Sequence, residues 1–295
     1  MTWLITGGSG QLGTALSREL GKRDFEVISP RSGDFDITNQ KQVDKLISRL
    51  KPTVVINCAA WTNVESAEIH EDSAFKINAE GAANLARAAR DCNAKFVQIS
   101  TDYVFSGSTT VPWKISDVPN PKSAYGRTKA EGERKVLLGY AKNTFIVRTS
   151  WLYSPWGKNF VKAIASQAHI GKNLRVVDDQ VGQPTSAIDL AIQIVNLALS
   201  ELPPGIYHAT NNGEASWFEL ALFVVSVMGK EESILTPIKS SEYESKVNRP
   251  SYSVLDNSCW SNTKLLPMRD WKIALLEIMP EIISELELQQ VNPWK

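Results

Sequence analysis

The sequence predicts an α/β fold: a doubly wound, mostly parallel sheet of Rossmann type with a smaller α+β lobe at its C-terminal side. Three observations carry this. Short, continuously apolar runs alternate with longer amphipathic stretches through the first half, turn residues bound those runs, and a glycine cluster follows the first of them. Strands that are apolar on both faces belong in a parallel sheet covered by helices on both sides.

The elements follow in order. Trp3-Leu4-Ile5 reads as the first strand and 11–22 as the first helix; 25–29 is the next strand and 39–50 the next helix. Val54-Val55-Ile56 is β-branched and continuously apolar, which suits a buried strand. Residues 73–92 form a long alanine-rich helix, 95–100 a fourth strand, 124–138 a helix, and Phe145-Ile146-Val147 a fifth strand. After Trp151 the rhythm changes: helices at 160–168, 186–199 and 216–228 are separated by loops rich in Pro, Gly and Asn. The tail is helical over 270–287 apart from Pro280. The expected division is a dinucleotide-binding domain over 1–155, with a returning segment near 186–200, and a mainly substrate-binding lobe over 156–295.

Composition narrows the function classes. The 32 basic residues balance 32 acidic ones among 295, so no charge excess favours nucleic acid or an anionic membrane. Cys58, Cys92 and Cys259 are few, odd in number and lack CxxC spacing, which indicates neither a disulfide framework nor a thiolate zinc site. The start lacks a basic, then apolar, leader, and the most apolar run, 220–228, is about half the length of a membrane helix. A cytoplasmic location is expected.

Gly7, Gly10 and Gly13 form G-x-x-G-x-x-G between the first strand and first helix, the context a dinucleotide site requires. Glycines there permit a tight turn and let backbone N–H groups approach a pyrophosphate at the positive end of the helix. A merely structural glycine turn is the competing reading. The second strand ends Ile28-Ser29-Pro30-Arg31, with no carboxylate before Asp34 to hold a ribose 2′-OH. Arg31 suits a 2′-phosphate, so NADPH is the expected cofactor and NADH a second candidate; a solvated loop arginine accounts for the same residue.

Tyr125 and Lys129 stand four apart in a helical stretch and share one face. A nearby ammonium is expected to lower the phenol pKa and tune it for proton exchange. Ser100 and Thr101 put two hydroxyls at a strand's carboxyl end, where open parallel sheets bind ligands. Asn57-Cys58-Ala59-Ala60 ends the third strand with small residues that leave room for a cofactor.

In this order these motifs resemble the extended short-chain dehydrogenases. More narrowly, the chain is similar to the dTDP-4-dehydrorhamnose reductase family at Gly10-Gln11-Leu12-Gly13, Ala59-Ala60-Trp61-Thr62, 100–105, Tyr125-Gly126-Arg127-Thr128-Lys129, Arg148-Thr149-Ser150-Trp151, Asp179-Gln180, Gly182, Pro184-Thr185 and Arg249-Pro250. The resemblance spans most of the chain. It implies a cofactor on residues 7–13, Gln11 and Leu12 included, with Arg31 near its ribose or phosphate. Asp36 and Ile37 would sit by the adenine, Ala60, Trp61 and Thr62 by the pyrophosphate and ribose, Ile99 by the nicotinamide, and Tyr125 and Lys129 by its ribose. Tyr125 would protonate a C4 oxygen as hydride arrives, Lys129 would poise it, and Thr101 would hydrogen-bond the same oxygen. Asp102 and Trp151 would contact the sugar, and Arg249 the nucleotide diphosphate.

Two departures stand out. Trp61 replaces the histidine or tyrosine of many members. Some members dimerise through magnesium held by glutamates, and two of those places correspond to Ala15 and Ile188, which offer no oxygen ligand. No metal is therefore expected, and the chain should be a monomer or weak homodimer. The competing readings are another nucleotide-sugar 4-ketoreductase or an epimerase, and a non-catalytic NADP-binding regulatory subunit like the β subunit of methionine adenosyltransferase.

Overall fold

The computed structural model describes residues 1–245, 247–261 and 263–291. Its elements run in the order β1 (Thr2–Thr6), α1 (Gln11–Lys22), β2 (Glu26–Ile28), α2 (Gln40–Leu50), β3 (Val54–Asn57), α3 (Val64–Ile69), α4 (Glu71–Phe75), a π-helical turn (Lys76–Gly81), α5 (Ala82–Asp91), β4 (Lys95–Thr101), α6 (Ala124–Tyr140) and β5 (Thr144–Thr149). There follow β6 (Leu152–Tyr153), α7 (Phe160–His169), β7 (Leu174–Val177), β8 (Val181–Gly182), β9 (Thr185–Ser186), α8 (Ala187–Leu199), β10 (Gly205–His208), β11 (Ala215–Ser216), α9 (Trp217–Val227), β12 (Leu235–Ile238) and α10 (Trp271–Val291).

Six parallel strands form the central sheet in the order β10-β5-β4-β3-β1-β2. The chain reverses direction across the sheet between β1 and β3. Their carboxyl ends diverge into loops there, and open α/β sheets bind ligands at that point.

Successive side chains of a strand face opposite sides. Ile5, Ile56, Val97 and Val147 pack beneath α1 and α8, while Leu4, Val55 and Phe96 meet α2, α5 and α6 on the other face. This is why the strands read as continuously apolar. A separate core in the lobe joins α7, α9 and α10 through Ile164, Leu220, Val224, Leu275 and Met279.

The returning segment is larger than the sequence suggests. Besides α8, which packs on α1, β10 adds an edge strand beside β5. The long helix expected over 73–92 is divided by the π turn, and α10 passes through Pro280 as a single helix. Ala15, one of the positions compared with a metal ligand, is buried between α1 and α8.

Candidate active site

A cleft of about 560 Å³ opens at the carboxyl ends of β1, β3, β4 and β5, with the lobe as its far wall. On the sheet side lies the glycine turn. Gly7 has φ +70°, and a Cβ there would come within 2.6 Å of Ala59 N. At Gly13 a Cβ would lie 2.4 Å from Gly7 O, so the turn folds back on α1 only with glycine at both places. Gly10 caps α1 without a capping side chain, which leaves the first N–H groups open to an anion. The buried ladder Thr6 Oγ1 to Asn57 Oδ1 (2.7 Å) and Asn57 Nδ2 to Gln98 Oε1 (2.8 Å) ties the ends of three strands together.

Tyr125 and Lys129 come from the first turns of α6, whose N-cap Ser123 accepts from Gly126 N. Lys129 is buried, and its Nζ donates to the Ile99 carbonyl at 2.6 Å. Burial pushes the Lys129 ammonium down to about 8, against the opposing pull of Glu133. The phenol differs from expectation. Burial raises the Tyr125 pKa above the ordinary value, Asp102 and Tyr103 add to the rise, and only the Thr101 hydroxyl opposes it. The phenolate would be desolvated, while the Lys129 ammonium is turned to a carbonyl. Tyr125 is therefore held as a protonated acid.

Thr101 Oγ1 donates to Asp102 Oδ1 at 2.8 Å and accepts from Tyr103 N, so its donor is engaged within the wall. Asp102 is buried and pushed up to about 6 by desolvation, with the nearby Ser253 and Thr101 hydroxyls pulling back. Its Oδ2 has no hydrogen bond of normal geometry. Beneath this wall, Glu133 accepts from Ser100 Oγ and pairs with Arg148 at 2.7 Å, both partners being about 5% exposed or less.

On the lobe side Trp151 adopts a left-handed backbone (φ 45°) and stacks on Trp217, with ring centroids 3.4 Å apart and planes within 3°. Gly182 permits this, because a Cβ there would meet the Trp151 ring at 2.4 Å. Arg249 pairs with Glu65 at 2.9 Å and reaches the Tyr103 hydroxyl, whose ring lies edge-on to Tyr125.

The structure brings most of the expected residues into one cleft: Gly7, Gly10, Gln11, Leu12 and Gly13 from the turn; Ala60, Thr62 and Ile99 beside it; then Thr101, Asp102, Tyr125, Lys129, Trp151 and Arg249. Four are not brought in. Trp61 Nε1 donates to Asn63 O and Ser66 Oγ, and its ring packs near His70, away from the cleft. Ile37 is buried in the core beside Gly81, Asp36 accepts from Thr38, and Arg31 is exposed on its loop. Sequence reasoning assigned no role to Tyr103, Lys158 and Trp217 in the lining, while Cys58 lies in the strand end expected to leave room for a cofactor. Of those three, only the Tyr103 ring, inside a motif already singled out, carried a local signal.

A shelf shaped for a dinucleotide with a protonated acid beside it suits carbonyl reduction by hydride, and Trp151 and Trp217 line the same cleft. The fold and cleft define an NAD(P)-dependent oxidoreductase of the extended short-chain type. A family model described as RmlD substrate binding domain matches residues 1–283. A dTDP-4-dehydrorhamnose reductase of Streptomyces griseus is 40% identical, covering 95% of this chain and 93% of its own. A dTDP-4-keto-6-deoxy-D-glucose reductase of Streptomyces niveus is 39% identical over 94% of this chain and 96% of its own. The crystal structure of dTDP-4-dehydrorhamnose reductase from Bacillus anthracis in complex with NADP superposes with a TM-score of 0.91 at 36% identity, over 95% of this chain and 99% of that one. The chain belongs to the RmlD substrate binding domain family, among the dTDP-4-dehydrorhamnose reductases and their relatives.

Proposed function

We propose that this chain reduces the C4 ketone of a dTDP-linked 6-deoxyhexose with NADPH, converting dTDP-4-dehydro-L-rhamnose to dTDP-L-rhamnose. The observation that carries the reading is Tyr125, kept protonated by burial, on the same cleft as a glycine shelf that side chains would fill. The shelf fits a dinucleotide: open N–H groups at the start of α1 receive the diphosphate, and Ala60, Thr62 and Ile99 line the path beyond it. When bound, NADPH supplies the hydride.

The remaining chemistry belongs to the chain. Tyr125 gives its proton to the C4 oxygen as charge develops there. Lys129, anchored on Ile99 O, brings a buried positive charge to the same cleft, one helical turn from Tyr125. Thr101 orients the same oxygen once its hydroxyl turns from Asp102. Trp151 offers the sugar an aromatic face, and Arg249 the nucleotide diphosphate a cation. Arg31 is assigned to the cofactor 2′-phosphate, beyond the cleft. Asp36 and Ile37 keep an assignment to the adenine side through their backbone, whereas the Trp61 side chain receives none.

We further assign residues 1–155 with 186–200 to cofactor binding and the rest mainly to substrate. The unpaired thiols of Cys58, Cys92 and Cys259 support a reducing, cytoplasmic setting, and a monomer or weak homodimer is the proposed state. Among the described residues no helix is long and apolar enough to cross a membrane.

The test is NADPH oxidation with dTDP-4-dehydro-L-rhamnose and, separately, dTDP-4-keto-6-deoxy-D-glucose, with the product identified by NMR. Stoichiometric oxidation yielding the 4-hydroxy sugar supports the reading. Interconversion of epimers with no net oxidation, or cofactor binding with no turnover of either ketosugar, overturns it.

A further inference from the structure

The loop 154–159, between β6 and α7, is fastened to the first residue of α1. Asn159 Nδ2 donates to Gln11 Oε1 at 3.0 Å, Ser154 Oγ to the same oxygen at 2.9 Å, and Trp156 Nε1 to the Gln11 carbonyl at 2.9 Å. The Arg18 guanidinium stacks over the Trp156 ring at 4.1 Å, so α1 grips the loop from a second position. Gly157 turns with φ +71°, and a Cβ there would lie 3.1 Å from Gln11 Cγ. The loop thus passes directly against the residue that follows the glycine turn.

Lys158 stands next, at the tip, exposed and lining the cleft together with the glycine turn. Among the described residues no carboxylate pairs with its ammonium, whereas the neighbouring Lys162 is bound to Glu285 and to the Pro155 carbonyl. Residues 7–13 contain no cation of their own. Of the other cations lining the cleft, Lys129 is held by the Ile99 carbonyl, and Arg249, assigned above to the substrate's diphosphate, is held by Glu65 and Tyr103. Among the described residues that line the cleft, Lys158 is thus the cation left for an anion seated on the N–H groups of α1.

We propose that Lys158, held over the glycine turn by the Gln11 clasp, binds the diphosphate of the dinucleotide and closes that end of the cofactor site. This rests on the cofactor reading above. Because both dinucleotides share the diphosphate, Lys158→Met should weaken NADPH and NADH equally, by about three- to tenfold in Kd, the range for a partly exposed charged contact. Titration calorimetry with NADPH, NADH and dTDP reads this without turnover. Lys158→Arg should keep near wild-type affinity, and the loss in Lys158→Met should shrink as salt rises. A loss confined to NADPH would move the lysine to the 2′-phosphate, and an equal loss for dTDP would move it to the substrate. Either result, or a change below twofold, overturns the proposal. A wild-type chain that binds no dinucleotide sinks the cofactor reading itself.

Discussion

The two walls of the cleft are held by different physics. The sheet-side wall rests on backbone geometry and buried charge: glycine contacts that admit no side chain, the Thr6–Asn57–Gln98 ladder, and the Ser100–Glu133–Arg148 network under Tyr125 and Lys129. The lobe-side wall rests on aromatic faces, Trp151 on Trp217 and Trp217 near Phe160 at 4.6 Å. Charged networks fix atoms in one arrangement, because a displaced partner leaves a buried charge uncompensated. Stacked rings lose little when they slide. The wall that carries Tyr125 and Lys129 is thereby held to one arrangement, while the aromatic wall has more room to vary; the relatives carry names for different dTDP-hexoses.

The contrast is most open to attack at Glu133. Glu133→Ala leaves Arg148 buried without its partner and should cost about 3–5 kcal/mol, read from denaturant midpoints. Glu133→Leu with Arg148→Met should cost less, since no charge is then stranded. A loss under about 1 kcal/mol in Glu133→Ala would mean that the network does not support the wall.

Next in size, Tyr125→Phe should lower kcat about a hundredfold or more while NADPH affinity survives, because only the proton donor is removed. Wild-type turnover in that variant would remove Tyr125 from the chemistry. The companion expectation concerns pH. Because burial holds Lys129 down to about 8, the reductive rate should be level below that pH and fall above it as the ammonium is lost. A profile flat through pH 10 would separate Lys129 from the rate.

The aromatic wall should yield less. Trp217→Ala removes the stack that holds Trp151 and should raise KM for the ketosugar about three- to tenfold, with NADPH Kd unchanged. A loss of cofactor affinity instead would blur the division between the walls. Smallest is Arg31→Ala, exposed on its loop, which should narrow the NADPH over NADH preference in kcat/KM by about two- to fivefold. A wild type that already prefers NADH would end that assignment.

The sequence alone determined the features whose causes are local. Apolar runs announced a buried parallel sheet, because each strand must be apolar on both faces; Gly7, Gly10 and Gly13 announced the turn, which has no space for a Cβ at Gly7 or Gly13; Tyr125 and Lys129 announced a shared face through helical spacing. Only the tertiary structure decided what depends on residues far apart. Trp217 joins Trp151, Arg249 joins Glu65, and the loop that carries Lys158 joins Gln11 through Trp156, contacts spanning 66, 184 and 145 positions, which no periodicity encodes. It also decided the sign of the Tyr125 shift. Spacing gave the ammonium as a neighbour, but desolvation depends on everything packed around the phenol, and that outweighs one charge directed at a carbonyl.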